Sequence, residues 1–339
     1  MKLFGKNLDH QGVLIAEIGV NHEGSPKKAR DLLRLAAEAG ADAVKFQSYT
    51  PARFISTRDP ERFQQVSARA LDERTHYLLA EEAAKRGVAF LSTPVTEDWI
   101  PLVARLSPVI KIASGDLTFE PIIRAAAATG KPVILSTGLG TETEIEQAIG
   151  WVREEIGDRR LKDSLALMHC VSAYPTPIEE ANLRSIPFLT DRFALTVGYS
   201  NHVIGPEACW AAIALGAPII EVHFTDEKEG RTFRDHQLSF NPNDLAGLVE
   251  AMPRLRAALG RYDKQPQPSE LPGLGAMRKG VVAAADLKAG TVLGEDHIMF
   301  ARPATGIESG RVAEVLGAVL TRDLVQGESL ADADLNKAD

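Results

Sequence analysis

Charged residues recur where short apolar runs of this sequence end, and their types suit the binding of an anion and a metal ion. Two lysines, Lys45 and Lys111, and two histidines, His202 and His223, end or follow such runs. A buried lysine is costly unless an anion meets it, and neutral imidazoles are common ligands of Mn²⁺, Fe²⁺ or Zn²⁺. These residues predict one site that holds a phosphate or carboxylate beside a divalent metal ion.

Hydroxyl, amide and carboxylate side chains occupy similar positions at the ends of the other runs. The groups that could complete an anion site are Gln47, Thr93, Ser114, Ser136, Tyr174 and Ser200. The carboxylates that could orient water or move a proton are Glu17, Asp235 and Glu221. Any one of these residues could cap a helix instead, so it is the whole set that indicates a site.

An alternation of short strands and longer helices, which runs to about residue 262, must bring these residues together. The predicted strands are Val13–Ile18, Ala43–Gln47, Val88–Ser92, Val109–Ala113, Val133–Ser136, Leu165–His169, Ala194–Gly198 and Ile219–His223. Stretches with apolar residues at helical spacing lie between most of these strands. Several of the predicted helices end in a glycine, for example Gly40 and Gly130, shortly before the next strand. Eight such units in about 260 residues predict a (β/α)8 TIM barrel, an α/β fold that places its chemistry at the carboxyl ends of the strands.

The composition changes after the barrel and limits the partners of the chain. We expect the barrel domain over 1–262, a Pro-rich linker over 263–276 and a small β-rich domain over 277–339. The net charge of -8 argues against a nucleic acid or an anionic membrane as partner. With 2 cysteines and neither a signal peptide pattern nor an apolar run long enough to span a bilayer, a cytoplasmic protein is expected.

Eight motifs in chain order resemble the sialic acid (N-acetylneuraminate) synthase family. They are Ile15–Gly24, Val44–Gln47, Leu91–Pro94, Ile110–Gly115, Ile134–Gly138, His169–Pro175, Gly198–His202 and Ile220–Phe224. The resemblance covers essentially the whole chain. The small C-terminal domain, with its stretch Ala301–Ile307, is similar to the antifreeze-like (SAF) domain of that family.

The resemblance implies a metal-dependent condensation of phosphoenolpyruvate with the open-chain aldehyde of an N-acylmannosamine-type sugar, which gives a nonulosonic acid and phosphate. His202 and His223 then resemble the manganese ligands, and Glu17 and Asp235 resemble the acid/base or water-orienting carboxylates. The residues that resemble the phosphoenolpyruvate cradle are Lys45, Lys111, Ser114, Ser136 and Ser200, helped by Gln47, Thr93 and Tyr174. The family also forms domain-swapped homodimers, in which Arg302 resembles the arginine that reaches the sugar site of the other chain.

Two features depart from the family pattern, and both concern the sugar half of the site. Phe233 and Arg234 precede Asp235 where family members carry Gly-Pro, and the segment between Gln47 and Val88 is shorter. We therefore expect a differently shaped loop, and a related mannosamine derivative or another aldose is as plausible an acceptor as N-acetylmannosamine.

Three alternative functions remain open from the residues. The barrel could be a class I aldolase in which Lys111 or Lys45 forms a Schiff base. It could condense phosphoenolpyruvate with a phosphorylated aldose whose phosphate is held by Arg234 and Arg302. It could also be a non-catalytic carbohydrate-binding protein, although a degenerate site would be expected in that case.

Overall fold

The strands that carry the polar residues lie side by side in one parallel sheet. The computed structural model describes residues 1–231, 233 and 235–336. The strands of the first part of this described chain are β1 (Lys2–Leu3), β2 (Lys6–Asn7), β3 (Val13–Gly19), β4 (Ala43–Ser48), β5 (Ala89–Pro94), β6 (Ile110–Ile112), β7 (Val133–Ser136), β8 (Leu165–His169), β9 (Thr196–Asn201) and β10 (Ile219–His223). The sheet has the order β5-β4-β3-β10-β9-β8-β7-β6. Because β5 and β6 also lie next to each other, the sheet is a nearly closed barrel, which confirms the predicted fold.

Helices alternate with these strands and cover the barrel. They are α1 (Pro26–Glu38), α2 (Pro51–Phe54), α3 (Pro60–Arg69), α4 (Glu73–Lys85), α5 (Ile100–Leu106), α6 (Glu120–Ala128), α7 (Glu142–Ile156), α8 (Asp158–Ser164), α9 (Ser185–Phe193), α10 (Glu207–Ala214), α11 (Asp235–Leu238) and α12 (Pro242–Leu259). Side-chain caps such as Thr141 on α7 and Asn241 on α12 fix where helices begin. Gly40, with a φ of 92°, follows α1 in the left-handed conformation that the sequence predicted.

The inward face of each strand changes from apolar to polar toward its carboxyl end. Since side chains alternate along a strand, Ile219, Glu221 and His223 of β10 all point to the same side. An inner core that includes Val13, Ile15, Ala43, Leu91, Val109, Ile134, Ala166, Met168 and Ile219 fills the lower barrel, together with Leu3 and Leu8 of the amino-terminal segment. This packing leaves the polar groups, and space between them, at the opposite end.

The chain divides into two compact units, Met1–Gly260 and a second unit that begins at Arg261. The second unit contains α13 (Leu274–Met277), β11 (Gly280–Ala283), β12 (Ile298–Ala301), β13 (Val319–Leu320) and β14 (Leu335–Asn336). β11 pairs with β12 and β13 pairs with β14, both antiparallel, around a small apolar core of its own. The predicted small β-rich C-terminal domain is confirmed. Among the described residues, no helix combines the length and hydropathy of a membrane span.

Candidate active site

A cavity of about 910 Å³ opens at the carboxyl ends of the barrel strands. It brings together most of the residues that the sequence singled out. The predicted residues that line it are Glu17, Lys45, Gln47, Thr93, Lys111, Ser114, Ser136, Tyr174, Ser200, His202 and His223. The two lysines and two histidines lie on or directly after four different strands, β4, β6, β9 and β10. Closure of the barrel therefore brings them around one space.

The innermost residues of the cavity form what we call the floor, which consists of Glu17, Lys45, Lys111, His202, Glu221 and His223. Each of them is at most 8% exposed. Lys45 Nζ lies 2.8 Å from Glu17 Oε2 and 3.6 Å from Glu221 Oε1, and Lys111 Nζ lies 3.7 Å from the same Glu221 oxygen. Glu221 thus stands between the two ammonium groups.

The two carboxyl groups of the floor have opposite proton affinities. Burial raises the pKa of Glu17 toward neutrality, because the attraction of Lys45 offsets only part of the desolvation and the charge of Glu221 adds to it. Burial would also raise the pKa of Glu221, but Lys111 and Lys45 together hold it below its ordinary value. Glu221 is therefore the permanent anion of the floor, and Glu17 is the carboxyl that can exchange a proton.

The two lysines of the floor are also unequal. Burial would lower the pKa of Lys45, but its ion pairs with Glu17 and Glu221 raise it above the ordinary value. For Lys111, burial prevails, and its pKa lies below the ordinary value despite the attraction of Glu221. Lys111 is the ammonium group that an incoming anion would stabilise most.

Hydroxyl groups from neighbouring strand ends complete the environment of the charged groups. Lys45 Nζ donates a hydrogen bond to Thr93 Oγ1 (3.2 Å), and Lys111 Nζ donates one to Ser136 Oγ (2.6 Å). Ser200 donates to Glu221 Oε1 at 3.0 Å. Glu221 Oε2 is buried and has no hydrogen-bond partner among the described residues, so one acceptor of the floor is left for another molecule.

The two histidines are arranged as neutral ligands. His202 Nδ1 lies 2.6 Å from the carbonyl oxygen of Val171, so Nδ1–H donates and the lone pair of Nε2 is left for a ligand. The rings of His202 and His223 are 5.3 Å apart, and the Tyr174 ring lies 4.1 Å from that of His202. Burial lowers the pKa of both histidines, which favours the neutral form that binds metals.

This donor set fits a divalent metal ion in an open site. Within residues 1–231, 233 and 235–336, no cluster of three or more histidine, cysteine or carboxylate ligands is present. The two imidazoles would therefore supply only part of the coordination sphere and leave positions for water and substrate oxygens, as catalytic sites require.

Of three further residues that the sequence analysis singled out, two lie elsewhere than in the cavity, and one is not among the described residues. Asp235 opens α11 in the loop after β10 and is not among the residues that line the cavity. Burial raises the pKa of Tyr174, and the charge of Asp235 adds a smaller contribution in the same direction. Arg302 follows β12 in the second unit and is exposed. Arg234 lies outside the described residues.

The structure also adds residues that the sequence analysis did not single out. Arg53, Phe54, Arg62 and Leu139 line the cavity, and we call these four exposed residues the mouth. Asp116 lines the cavity as well, and burial raises its pKa to about 6, against the attraction of Lys111. Asp116 directly follows the motif Ile110–Gly115, which contains the predicted site residue Ser114. This position in the sequence was the signal that could have identified Asp116 as a site residue.

Comparison with known proteins gives consistent matches over almost the entire chain. The NeuB family model matches residues 32–264, and the SAF domain model matches residues 278–336. An uncharacterized protein of Methanocaldococcus jannaschii is 39% identical over 95% of this chain and 94% of its own length. N,N'-diacetyllegionaminic acid synthase of Campylobacter jejuni is 36% identical over 94% of this chain and 99% of its own. The crystal structure of an N-acetylneuraminic acid synthetase from Leptospira borgpetersenii is 33% identical, with a TM-score of 0.72, over 77% of this chain and 90% of that one.

Proposed function

Because the chain belongs to the NeuB family, we propose that it condenses phosphoenolpyruvate with the open-chain aldehyde of an N-acylmannosamine-type aldose. The products would be a nonulosonic acid and inorganic phosphate, as in a transferase that forms a C–C bond. The observation that carries this proposal is the floor, where two buried lysines lie beside the single permanent carboxylate of Glu221, next to two buried histidines. The similarity to the N,N'-diacetyllegionaminic acid synthase of Campylobacter jejuni favours an acceptor with two acylamido groups.

The lysines would hold the carboxylate and phosphate of phosphoenolpyruvate. With Glu17 protonated, Lys45 and Lys111 outnumber the single carboxylate of Glu221, so the floor attracts an anion. Ser136 and Ser200 supply hydroxyls to the charged groups, and Ser114, Gln47, Thr93 and Tyr174 line the same space. The same positive charge would stabilise phosphate as it leaves.

His202 and His223 would hold a divalent metal ion, which we propose to be Mn²⁺. When bound, such an ion acts as a Lewis acid that increases the electrophilicity of the acceptor aldehyde. The two histidines can bind the ion because burial favours their neutral form. The Nδ1–H of His202 donates to the carbonyl oxygen of Val171, which leaves Nε2 for the metal.

The bond changes assign proton-transfer roles to the carboxyl groups. C3 of phosphoenolpyruvate forms a bond to the aldehyde carbon, and the aldehyde oxygen takes up a proton. Water then adds at C2 and loses a proton. As the bond from C2 to the bridging oxygen breaks, the C2 hydroxyl becomes the keto group and its proton passes to the departing phosphate. Glu17, which can exchange a proton near neutrality, would serve these transfers, and Asp235 would assist from its loop.

The second unit would complete the acceptor site of another copy of the chain. We propose a domain-swapped homodimer in which the SAF domain of each chain places Arg302 over the sugar site of the other chain. The exposure of Arg302 leaves its guanidinium available for such a contact. Sedimentation of wild type and of a chain that ends before residue 261 would measure the contribution of the second unit.

Phosphate release from phosphoenolpyruvate tests the proposed reaction directly. Wild-type protein with Mn²⁺ is screened against N-acetylmannosamine, its 2,4-diacetamido-6-deoxy analogue and a 6-phosphorylated aldose. We expect release that requires both an acceptor and the metal, is lost with EDTA and returns with Mn²⁺. Absence of release with every acceptor would contradict the proposal.

A Schiff-base aldolase is the second candidate, because burial lowers the pKa of Lys111 and so favours its nucleophilic amine form. Borohydride reduction in the presence of a carbonyl substrate separates the two functions. Covalent trapping at Lys111 together with activity in EDTA would support the aldolase. Its absence, with EDTA-sensitive phosphate release, supports the condensation.

A further inference from the structure

The segment that contains α2 and α3 faces the cavity without entering the core. Its described residues 51–69 include no fully buried residue in either helix. Arg53, Phe54 and Arg62 of this segment nevertheless line the cavity. The segment is therefore available to contact whatever the cavity holds beyond its floor.

Contacts at the end of α3 fix this segment in place. A Cβ atom at Gly24 would lie 2.0 Å from the carbonyl oxygen of Ala68, so the absence of a side chain permits the loop after β3 to approach α3. The guanidinium of Arg69 lies 4.6 Å from the centre of the Phe233 ring, which belongs to the loop after β10. These contacts give the cavity-facing residues of α3 a defined position.

The two arginines of the segment differ in their partners. Arg53 forms an ion pair with Glu97, and its Nε lies 3.7 Å from Asp98 Oδ1. Arg62 forms no ion pair with any described residue, although it lies on the same side of the cavity. The charge of Arg53 is therefore neutralised within the protein, and the donors of Arg62 are available to a ligand.

We propose that Arg62 is the residue that selects the acceptor sugar by binding an acylamido group at the end remote from the aldehyde. This inference rests on the proposed function, in which the aldehyde lies at His202, directly after β9, and at His223, at the end of β10, whereas Arg62 follows β4. An arginine donates hydrogen bonds to the acyl oxygen, and Phe54, which is 37% exposed, offers apolar surface to the acyl methyl group.

The same arrangement is less suited to a phosphate at that end of the acceptor. A phosphate dianion is best held by several cationic donors. Here the carboxylates of Glu97 and Asp98 neutralise Arg53 and would repel a second anion, which leaves a single cation. A neutral acylamido group requires only hydrogen-bond donors, which the single cation Arg62 can supply.

Substitution of Arg62 tests this assignment, with Arg58 as the matched control. Arg58 is an exposed arginine of the same segment that does not line the cavity. Phosphate release is measured for wild type, Arg62→Gln and Arg58→Gln with N-acetylmannosamine and with its 2,4-diacetamido-6-deoxy analogue. For Arg62→Gln we expect the KM of the diacetamido acceptor to increase about tenfold, since a hydrogen bond to a charged donor is lost.

The expected pattern includes three constant quantities. The KM of phosphoenolpyruvate, the KM of the monoacetamido acceptor and all values for Arg58→Gln should stay within about twofold of wild type. Equal KM increases for both acceptors, or none, would overturn the role of Arg62 while leaving the condensation intact. A 6-phosphorylated acceptor whose KM alone depends on Arg62 would overturn the acylamido assignment. Wild-type protein without phosphate release on any acceptor would overturn this inference and the proposed function together.

Discussion

The floor and the mouth of the cavity are built on different principles. Every floor residue lies on or directly after a barrel strand and is at most 8% exposed. The mouth residues lie in short helices and a loop, and Leu139, with a φ of 66°, is 80% exposed. The floor is therefore preorganised by the sheet, whereas the mouth depends on the conformation of the connecting segments.

This difference suggests that the floor carries out the reaction, whereas the mouth determines which acceptor is bound. Charged groups buried in fixed positions act on developing charge without reorganisation, which is the main source of electrostatic catalysis. Exposed groups on connections tolerate changes of sequence, so they are the positions where an acceptor can be selected. Changes to the floor should affect all acceptors equally, and changes to the mouth should distinguish between them.

The largest effect is expected from His223→Ala in the floor. Loss of one of two imidazoles should abolish Mn²⁺ binding and turnover with every acceptor, because few other ligands remain. Calorimetric titration with Mn²⁺ and circular dichroism would measure binding and folding separately. His10→Ala, which changes an exposed histidine outside the site, is the control, and unaltered metal binding by His223→Ala would refute the assignment.

Lys111→Met should lower kcat/KM about 10³-fold with every acceptor, because the floor loses the ammonium group with the greatest demand for an anion. The substitution keeps an unbranched side chain but removes the ammonium group, with its charge and its hydrogen bond to Ser136. Steady-state kinetics of phosphate release provide the measurement, and Lys85→Met, at an exposed position of α4, is the control. An effect confined to one acceptor would contradict the division between floor and mouth.

Glu17→Gln should reduce kcat about 10²-fold and change the pH dependence of stability. Because burial raises the pKa of Glu17, the folded protein retains a proton that the unfolded chain loses between the ordinary carboxyl pKa and the raised one. The free energy of unfolding contributed by this group therefore falls as the pH increases through that range.

Denaturant titrations of wild type and Glu17→Gln at several pH values would reveal this contribution. The variant, which is neutral at every pH, should show a flatter decline of stability toward neutral pH. Glu179→Gln, at an exposed position, should behave like wild type. A variant with the same pH profile as wild type would show that Glu17 does not hold its proton in the folded state.

The smallest effect is expected in the mouth, from Leu139→Gly. Relief of the left-handed conformation should increase the free energy of unfolding by up to about 1 kcal/mol. Leu139→Ala removes the same side chain but keeps the unfavourable conformation, so it should show no such gain. Thermal unfolding of the three proteins makes this comparison, and kcat with a saturating acceptor should remain within about twofold of wild type.

The sequence allowed the floor to be predicted because barrel geometry relates distant residues through a simple rule. The bounds Val133–Ser136, Leu165–His169 and Ile219–His223 agree with the structure. The seventh strand of the barrel begins at Thr196, two residues later than predicted, because Ala194 has a left-handed φ of 52° and ends α9. Errors of this size do not move a residue away from the carboxyl end of a strand.

The mouth could not be predicted in the same way. Arg53 and Arg62 lie in a segment whose helices are short and bury no residue, so no apolar period indicated which side faces the cavity. Of these two arginines, Arg53 alone forms ion pairs with described residues, and its partners Glu97 and Asp98 are far away in sequence. Glu221 was recognised as a carboxylate at a strand end, but its position between two lysines required the closed barrel.

The fate of the bridging oxygen of phosphoenolpyruvate tests the central claim most directly. Phosphoenolpyruvate labelled with ¹⁸O at the oxygen between C2 and phosphorus is turned over with an accepted aldose and Mn²⁺, and both products are analysed by mass spectrometry. Addition of water at C2 followed by loss of phosphate predicts that the label appears in inorganic phosphate. Label retained in the sugar acid product would mean that the bond to phosphorus breaks instead, and would contradict the proposed chemistry of the floor.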